Sequence, residues 1–213
     1  IYEIKWDGIR ALSYVGPELR IESRNQKELY NRFPELEELK KLTNNVVLDG
    51  EIVVMKNGIP RFQLAIKRSQ NTDPRQVERL SRELPAIYVV FDILEKDGDP
   101  LIDLPLTERK EVLQTSLREG RHVVNSLYVE EEGKKYYKAA IQKGLEGIMA
   151  KRKESRYQPG LRSRDWLKIT HVKTVDCIIF GYTEGLGERE RTFGALVLGL
   201  YEKGTPIFVG KVG

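Results

Sequence analysis

The sequence predicts an α+β fold, a domain of antiparallel sheets flanked by helices, followed by the first strands of an all-β module. Two observations carry the first part: stretches with strand-like period two or unbroken apolar runs, and helical spacings lying between them. A third carries the rest. After Trp166 the texture changes to apolar strands joined by glycine-rich turns, with little helix. The expected boundaries are a first domain over 1–172 and the truncated start of a second over 173–213.

Each element has a local reason. Tyr2, Ile4 and Trp6 alternate with Glu3 and Lys5, the signature of a strand. Arg10 to Val15 and Leu19 to Arg24, split by Gly16-Pro17, read as a hairpin. Phe33, Leu36, Leu39 and Leu42 predict an amphipathic helix entered at Pro34, which suits a first helical turn. Val46 to Val54 is a strand closed by the Asn57-Gly58 turn. Short helices follow at Phe62 to Arg68 and Pro74 to Ser81. Ala86 to Leu94 is a buried strand ending at Asp97-Gly98. Thr107 is placed to cap a helix through Leu117, and Lys134 to Lys143 is a helix stopped by Gly144. Cys177 to Tyr182, Ala195 to Tyr201 and Ile207 to Val212 are the closing strands.

Composition narrows the function classes. The 213 residues are 40% hydrophobic and 32% charged, too apolar for disorder. The longest apolar run, Ala86 to Phe91, falls far short of a bilayer span. One cysteine, Cys177, and two histidines, His122 and His171, exclude a disulfide scaffold and a Cys- or His-rich metal centre. Cys177 reads as a small strand hydrophobe and Trp166 as packing. Opening on Ile1 without an initiator methionine, the chain is expected to be a fragment of a longer one. Residues 173 to 213 hold five basic and five acidic side chains, so the net +4 sits in the first domain. Lys151 to Lys168 carries seven cations against Glu154 and Asp165, a clustered excess of the kind that faces a polyanion.

The candidate chemistry begins at Lys5-Trp6-Asp7-Gly8-Ile9-Arg10, where a lysine on a rigid strand end projects into a turn. A lysine nucleophile must shed its proton, and bringing a pKa of ~10.4 to ~7 takes roughly 4–5 kcal/mol. Burial or neighbouring cations supply that, and the basic stripe offers such cations.

This K-x-D-G-x-R run resembles motif I of the covalent nucleotidyltransferase superfamily, which has an ATP-grasp-like catalytic domain. Further matches follow in order. Ser23-Arg24-Asn25 resembles the element after motif I, Leu48-Asp49-Gly50-Glu51 motif III, and Tyr88 to Asp92 motif IIIa. Glu146 to Lys151 resembles motif IV, and Trp166-Leu167-Lys168-Ile169 motif V. The run from Tyr157-Gln158-Pro159-Gly160 to Lys168, with the closing Val209 to Gly213, is similar to ATP-dependent DNA ligases of the bacterial and archaeal end-joining (ligase D) type.

The resemblance implies an ATP-dependent DNA ligase core with Lys5 as nucleophile, forming lysyl-AMP from ATP. AMP passes to a DNA 5′-phosphate and the 3′-hydroxyl seals the nick. It implies Arg10 on the ribose, and Arg24 and Lys168 as phosphate clamps. Phe91 stacks on adenine with Met149 closing the other face, and Glu3 beside Ile4 reads the adenine amino group. Glu51 and Glu146 hold Mg2+ or Mn2+, Glu51 alternatively contacting the ribose. The implied partner is nicked double-stranded DNA, with end-joining proteins or fused polymerase and nuclease domains besides. A cytoplasmic monomer without membrane contact is expected. The closing strands would begin an OB-fold barrel, and the chain ends before motif VI. Two departures stand out: Thr170 replaces a second motif V lysine, which either weakens phosphate contact or passes that task to Lys151, and Gln26 stands where relatives often have glycine. An RNA ligase or capping-type guanylyltransferase, and a non-catalytic DNA-binding module on the same scaffold, are the alternatives.

Overall fold

The computed structural model describes residues 1–161, 163–171 and 174–213, in two compact units, Ile1–His171 and Val172–Gly213. Arg162, one cation of the basic stripe, lies outside the described residues.

The first unit opens with β1 (Tyr2–Ile4) and the hairpin β2 (Ile9–Val15) and β3 (Leu19–Ser23). Two 3-10 turns, Tyr30–Arg32 and Pro34–Glu38, lead into the single-turn α1 (Leu39–Leu42). The expected amphipathic helix is thus mostly 3-10. The apolar residues recur every three positions, the 3-10 repeat rather than 3.6, and this puts Phe33, Leu36 and Leu39 fully inside the core. Then come β4 (Val46–Lys56), β5 (Ile59–Pro60), α2 (Phe62–Ser69) and α3 (Pro74–Glu83). Asn57 and Gly58, with φ of 54° and 75°, make the tight turn between β4 and β5. Asp73 caps α3 by accepting from the Arg75 amide at 3.1 Å.

β6 (Ala86–Lys96) and β7 (Asp99–Pro100) precede α4 (Leu106–Ser116). Thr107 does not cap α4. Pro105 is the N-cap, its fixed φ starting the helix two residues earlier, and Thr107 lies within the first turn. β8 (Val123–Asn125), β9 (Tyr128–Val129) and α5 (Gly133–Gln142) follow, and Gly144, at φ 76°, ends α5 as expected. β10 (Gly147–Lys151) and β11 (Trp166–Thr170) complete the unit.

Two sheets result. The larger runs β3-β2-β4-β6-β7, with β5 on β4 and β8 parallel to β6. Its central strands β4 and β6 are buried on both faces, with Leu48, Ile52, Tyr88 and Val90 inside the core. The smaller sheet runs β11-β10-β1-β9, antiparallel throughout. The second unit is an antiparallel sheet of β12 (Ile178–Glu184), β13 (Phe193–Glu202) and β14 (Thr205–Val212). Cys177 sits one residue before β12. No helix among the described residues is long and apolar enough to cross a membrane.

Candidate active site

A cavity of about 1060 Å³ opens in the first unit, walled by β1 and β10–β11 of the smaller sheet and β2, β4 and β6 of the larger. Glu3, Ile4, Lys5, Arg10, Arg24, Glu51, Phe91, Met149, Lys151 and Lys168 all line it. The register explains how the motifs meet: Glu3 stands opposite Met149, Met149 opposite Lys168, and Arg10 opposite Glu51. Glu146 reaches the cavity through Lys5.

Lys5 sits just past β1, where its amide donates to the Gly147 carbonyl at 3.0 Å. That backbone bond brings Glu146 alongside, and Lys5 Nζ donates to Glu146 Oε2. The sequence reading surrounds Lys5 with cations; the structure instead pairs it with a carboxylate. Two motif glycines are steric requirements of this arrangement. A Cβ on Gly147, whose φ is 152°, would lie 2.1 Å from the Ile169 oxygen of β11. One on Gly8 would lie 2.3 Å from the Ile52 oxygen of β4.

Arg10 grips Asp49 in a fork, Nε to Oδ1 at 3.0 Å and Nη2 to Oδ2 at 2.6 Å. Tyr157 completes the group, donating to Asp49 Oδ2 at 2.8 Å and accepting from Arg10 at 3.1 Å. Burial, ahead of the Asp49 charge, raises the Tyr157 phenol above its ordinary value. Glu51 is the other perturbed acid. Burial raises its carboxyl to about 7, against the opposing pull of Lys5.

Phe91 owes its exposure to a bulge. Asp49 pairs with Asp92 and Gly50 with Val90, so Phe91 is the extra residue, and its side chain turns into the cavity rather than the core. Trp166, expected only to pack, meets Phe91 edge-on at 6.2 Å, donates to Ser155 at 3.1 Å and lines the cavity too.

Lys151 is not an exposed cation of the stripe. It is 4% exposed, with Nζ 2.7 Å from Glu3 Oε2 and 4.5 and 4.0 Å from the Phe91 and Trp166 ring centres. β10 turns it inward, where a buried carboxylate waits. Other stripe cations meet acids: Arg152 with Asp165, Lys153 with Glu130, Arg156 with Asp103. Among the described residues, Arg164 and Lys168 are the exposed stripe cations without an ion pair.

Glu3 is 2% exposed and shared between Lys151 and Lys110 of α4, with Ser126 Oγ at 3.4 Å. Burial pushes its carboxyl up, but Lys151 and then Lys110 outweigh this and hold it below the usual range. The sequence reading passes over Asp49, Tyr157 and Lys110. Asp49 and Tyr157 lie inside the motif runs, and Lys110 carries a signal too. Leu106, Arg109, Lys110 and Leu113 fall on one helical stripe, where two cations among leucines mark buried charge.

Comparison with known proteins fits this geometry. A family model described as ATP dependent DNA ligase domain matches residues 1–170. A DNA ligase of Methanoculleus marisnigri is 35% identical over 217 residues, 99% of this chain and 39% of the relative. The multifunctional non-homologous end joining DNA repair protein LigD of Mycobacterium tuberculosis is 32% identical over 100% of this chain and 27% of its own length. The solved structure of mycobacterial DNA ligase D complexed with ATP and MES superposes with a TM-score of 0.68 at 28% identity. It covers 100% of this chain and 65% of that one. The chain therefore spans well under half the length of these two curated relatives, and neither is named an RNA ligase or a capping enzyme. With its match running through both sheets and every motif around the cavity, the chain belongs to the ATP-dependent DNA ligase family.

Proposed function

We propose that the cavity binds ATP and that Lys5 Nζ attacks its α-phosphorus. The Nζ–P bond forms as the bond to the bridging oxygen breaks, pyrophosphate leaves, and lysyl-AMP remains. Glu146, which already accepts the Nζ hydrogen bond, takes the proton. Arg24 and Lys168 line the cavity as phosphate cations, and catalysis rests on this positioning and charge. Arg10, locked by Asp49 and Tyr157, holds the ribose; Phe91 and Met149 take the two faces of adenine. AMP then passes to a DNA 5′-phosphate, and the 3′-hydroxyl displaces it to seal the nick.

The residues also fit a divalent cation. Among the described residues no three His, Cys, Asp or Glu side chains converge. Glu51 and Glu146 beside Lys5 are instead the one or two carboxylates that magnesium shares with substrate phosphates. Bound there, Mg2+ or Mn2+ supplies charge neutralisation at the phosphates. We assign residues 173–213 as the start of an OB-fold domain, and place the enzyme in the cytoplasm, acting on nicked DNA.

The observation that carries this reading is the convergence of Lys5, Arg10, Glu51, Phe91 and Lys168 on one cavity from strands of two sheets. Incubation with α-labelled ATP, GTP or NAD and magnesium tests it. Only ATP should leave an acid-labile, alkali-stable label on the protein, and Lys5→Ala should leave none. Labelling by GTP alone would favour a guanylyltransferase, and salt-sensitive DNA binding without any adduct would favour a non-catalytic module.

A further inference from the structure

Helix α4 sends two cations into the interior, one to each sheet. Arg109 forks onto Asp92 of β6 with two bonds of 2.8 Å, and Lys110 pairs with Glu3 of β1. Arg109 is fully satisfied, with further bonds to the carbonyls of Leu104 and Ser155. Lys110 is different. It is 2% exposed, and its Nζ lies against the Glu3 carboxylate, its ion-pair partner. Burying a cation against a single carboxylate is costly, and an apolar side chain on the same stripe would pack as well or better. Packing therefore does not explain Lys110.

Its placement does. Glu3 Oε2 is held by Lys151, which lies against the Phe91 and Trp166 rings, and Glu3 Oε1 faces Lys110. Lys110 does not line the nucleotide cavity, whereas Glu3 and Lys151 do. With one lysine on each oxygen, the carboxylate cannot swing wholly onto Lys151. It stays split between them at the base end of the cavity.

We propose that Lys110 is a positioning residue for base selection, fixing the Glu3 carboxylate so that it accepts from the amino group of a 6-aminopurine and repels the oxygen of a 6-oxopurine. This rests on the adenylation reading above and adds to it the group that sets the base preference from behind. Without Lys110, Glu3 closes onto Lys151 as an ordinary pair, which offers a donor and an acceptor and suits either base.

The test is single-turnover labelling of the protein at varied ATP and GTP, giving KM and rate separately for wild type, Lys110→Met, Lys110→Arg, Glu3→Gln and Leu113→Ala. Lys110→Met should lower the ATP-to-GTP preference about tenfold or more, through KM and with little change in rate at saturation. Lys110→Arg should restore it. Glu3→Gln should lower it likewise. Leu113→Ala, a cavity at a buried neighbour on the same helix, should leave the preference at its wild-type value even if it lowers stability. A Lys110→Met preference within twofold of wild type, while Glu3→Gln loses it, would overturn the role of Lys110. So would equal losses in Lys110→Met and Leu113→Ala, which would make it structural. Wild-type protein taking no label from either nucleotide would overturn the adenylation reading itself.

Discussion

Lys5 and Glu51 both line the cavity, and the charge of Lys5 acts on the Glu51 carboxyl. Lys5 is held by a backbone bond to Gly147 and a side-chain bond to Glu146, while Glu51 is buried enough that its carboxyl titrates at about 7. A carboxyl raised on folding binds a proton that the unfolded chain has released. Its contribution to stability is therefore full below about pH 4.5 and is lost as pH rises through about 7. Glu51→Gln removes that loss. Relative to wild type, the variant should melt little differently at pH 4 and gain up to about 3 kcal/mol by pH 8.5, read from thermal unfolding at both pH values. An equal difference at both would contradict the burial of this carboxyl. At the same scale, Gln26 adopts φ 57°, which explains why glycine suits that position. The motif residues were legible one by one because each lies in a short run. Asp49, Tyr157 and Lys110 were not, since their roles come from partners far away in the chain: Arg10 and Asp49 are 39 residues apart, Asp49 and Tyr157 108.

At the scale of elements, α4 and β10 position the site. Arg109 ties α4 to β6 and, through the Ser155 carbonyl, to the segment that carries Tyr157. Arg109→Met leaves Asp92 buried without its counter-charge and should cost about 3–5 kcal/mol in denaturant unfolding. A cost below about 1 kcal/mol would mean the pair is not buried as described. Gly147→Ala should break the β10–β11 pairing and with it the approach of Lys168 to Lys5, abolishing labelling by ATP while Gly58→Ala, in an open turn, costs only stability. Long strands and tight turns are readable because β4 and β6 carry apolar runs on either side of Asp49-Gly50-Glu51 and of Asp92, closed by Asn-Gly and Asp-Gly. The short β8, β9, β10 and β11 carry no clear strand pattern in the sequence. Their residues are too few or too polar to show period two, and pairing across the fold makes them. The repeat of three from Phe33 to Leu42 was visible but belongs to a tighter helix than the one expected.

Over the whole molecule, the net charge of +4 says less than its pairing. Among the described residues of the basic stripe, Lys151 is buried and Arg152, Lys153 and Arg156 have acidic partners, which leaves Arg164 and Lys168 exposed for a polyanion. DNA binding followed against salt should therefore lose about one unit of slope in Arg164→Ala and in Lys168→Ala, and almost none in Arg152→Ala. Equal effects at all three would restore the stripe as a continuous phosphate track. A change of texture after Trp166 is visible in the sequence, while the meeting of two sheets around one cavity is not, because no local pattern encodes which sheets face each other. The most direct measurement is intact-mass spectrometry with peptide mapping after incubation with ATP and magnesium. The account predicts a gain of a single adenylyl group, carried on the peptide containing Lys5 and absent from Lys5→Ala; an unmodified mass in the wild type, or the group on any other residue, would contradict it.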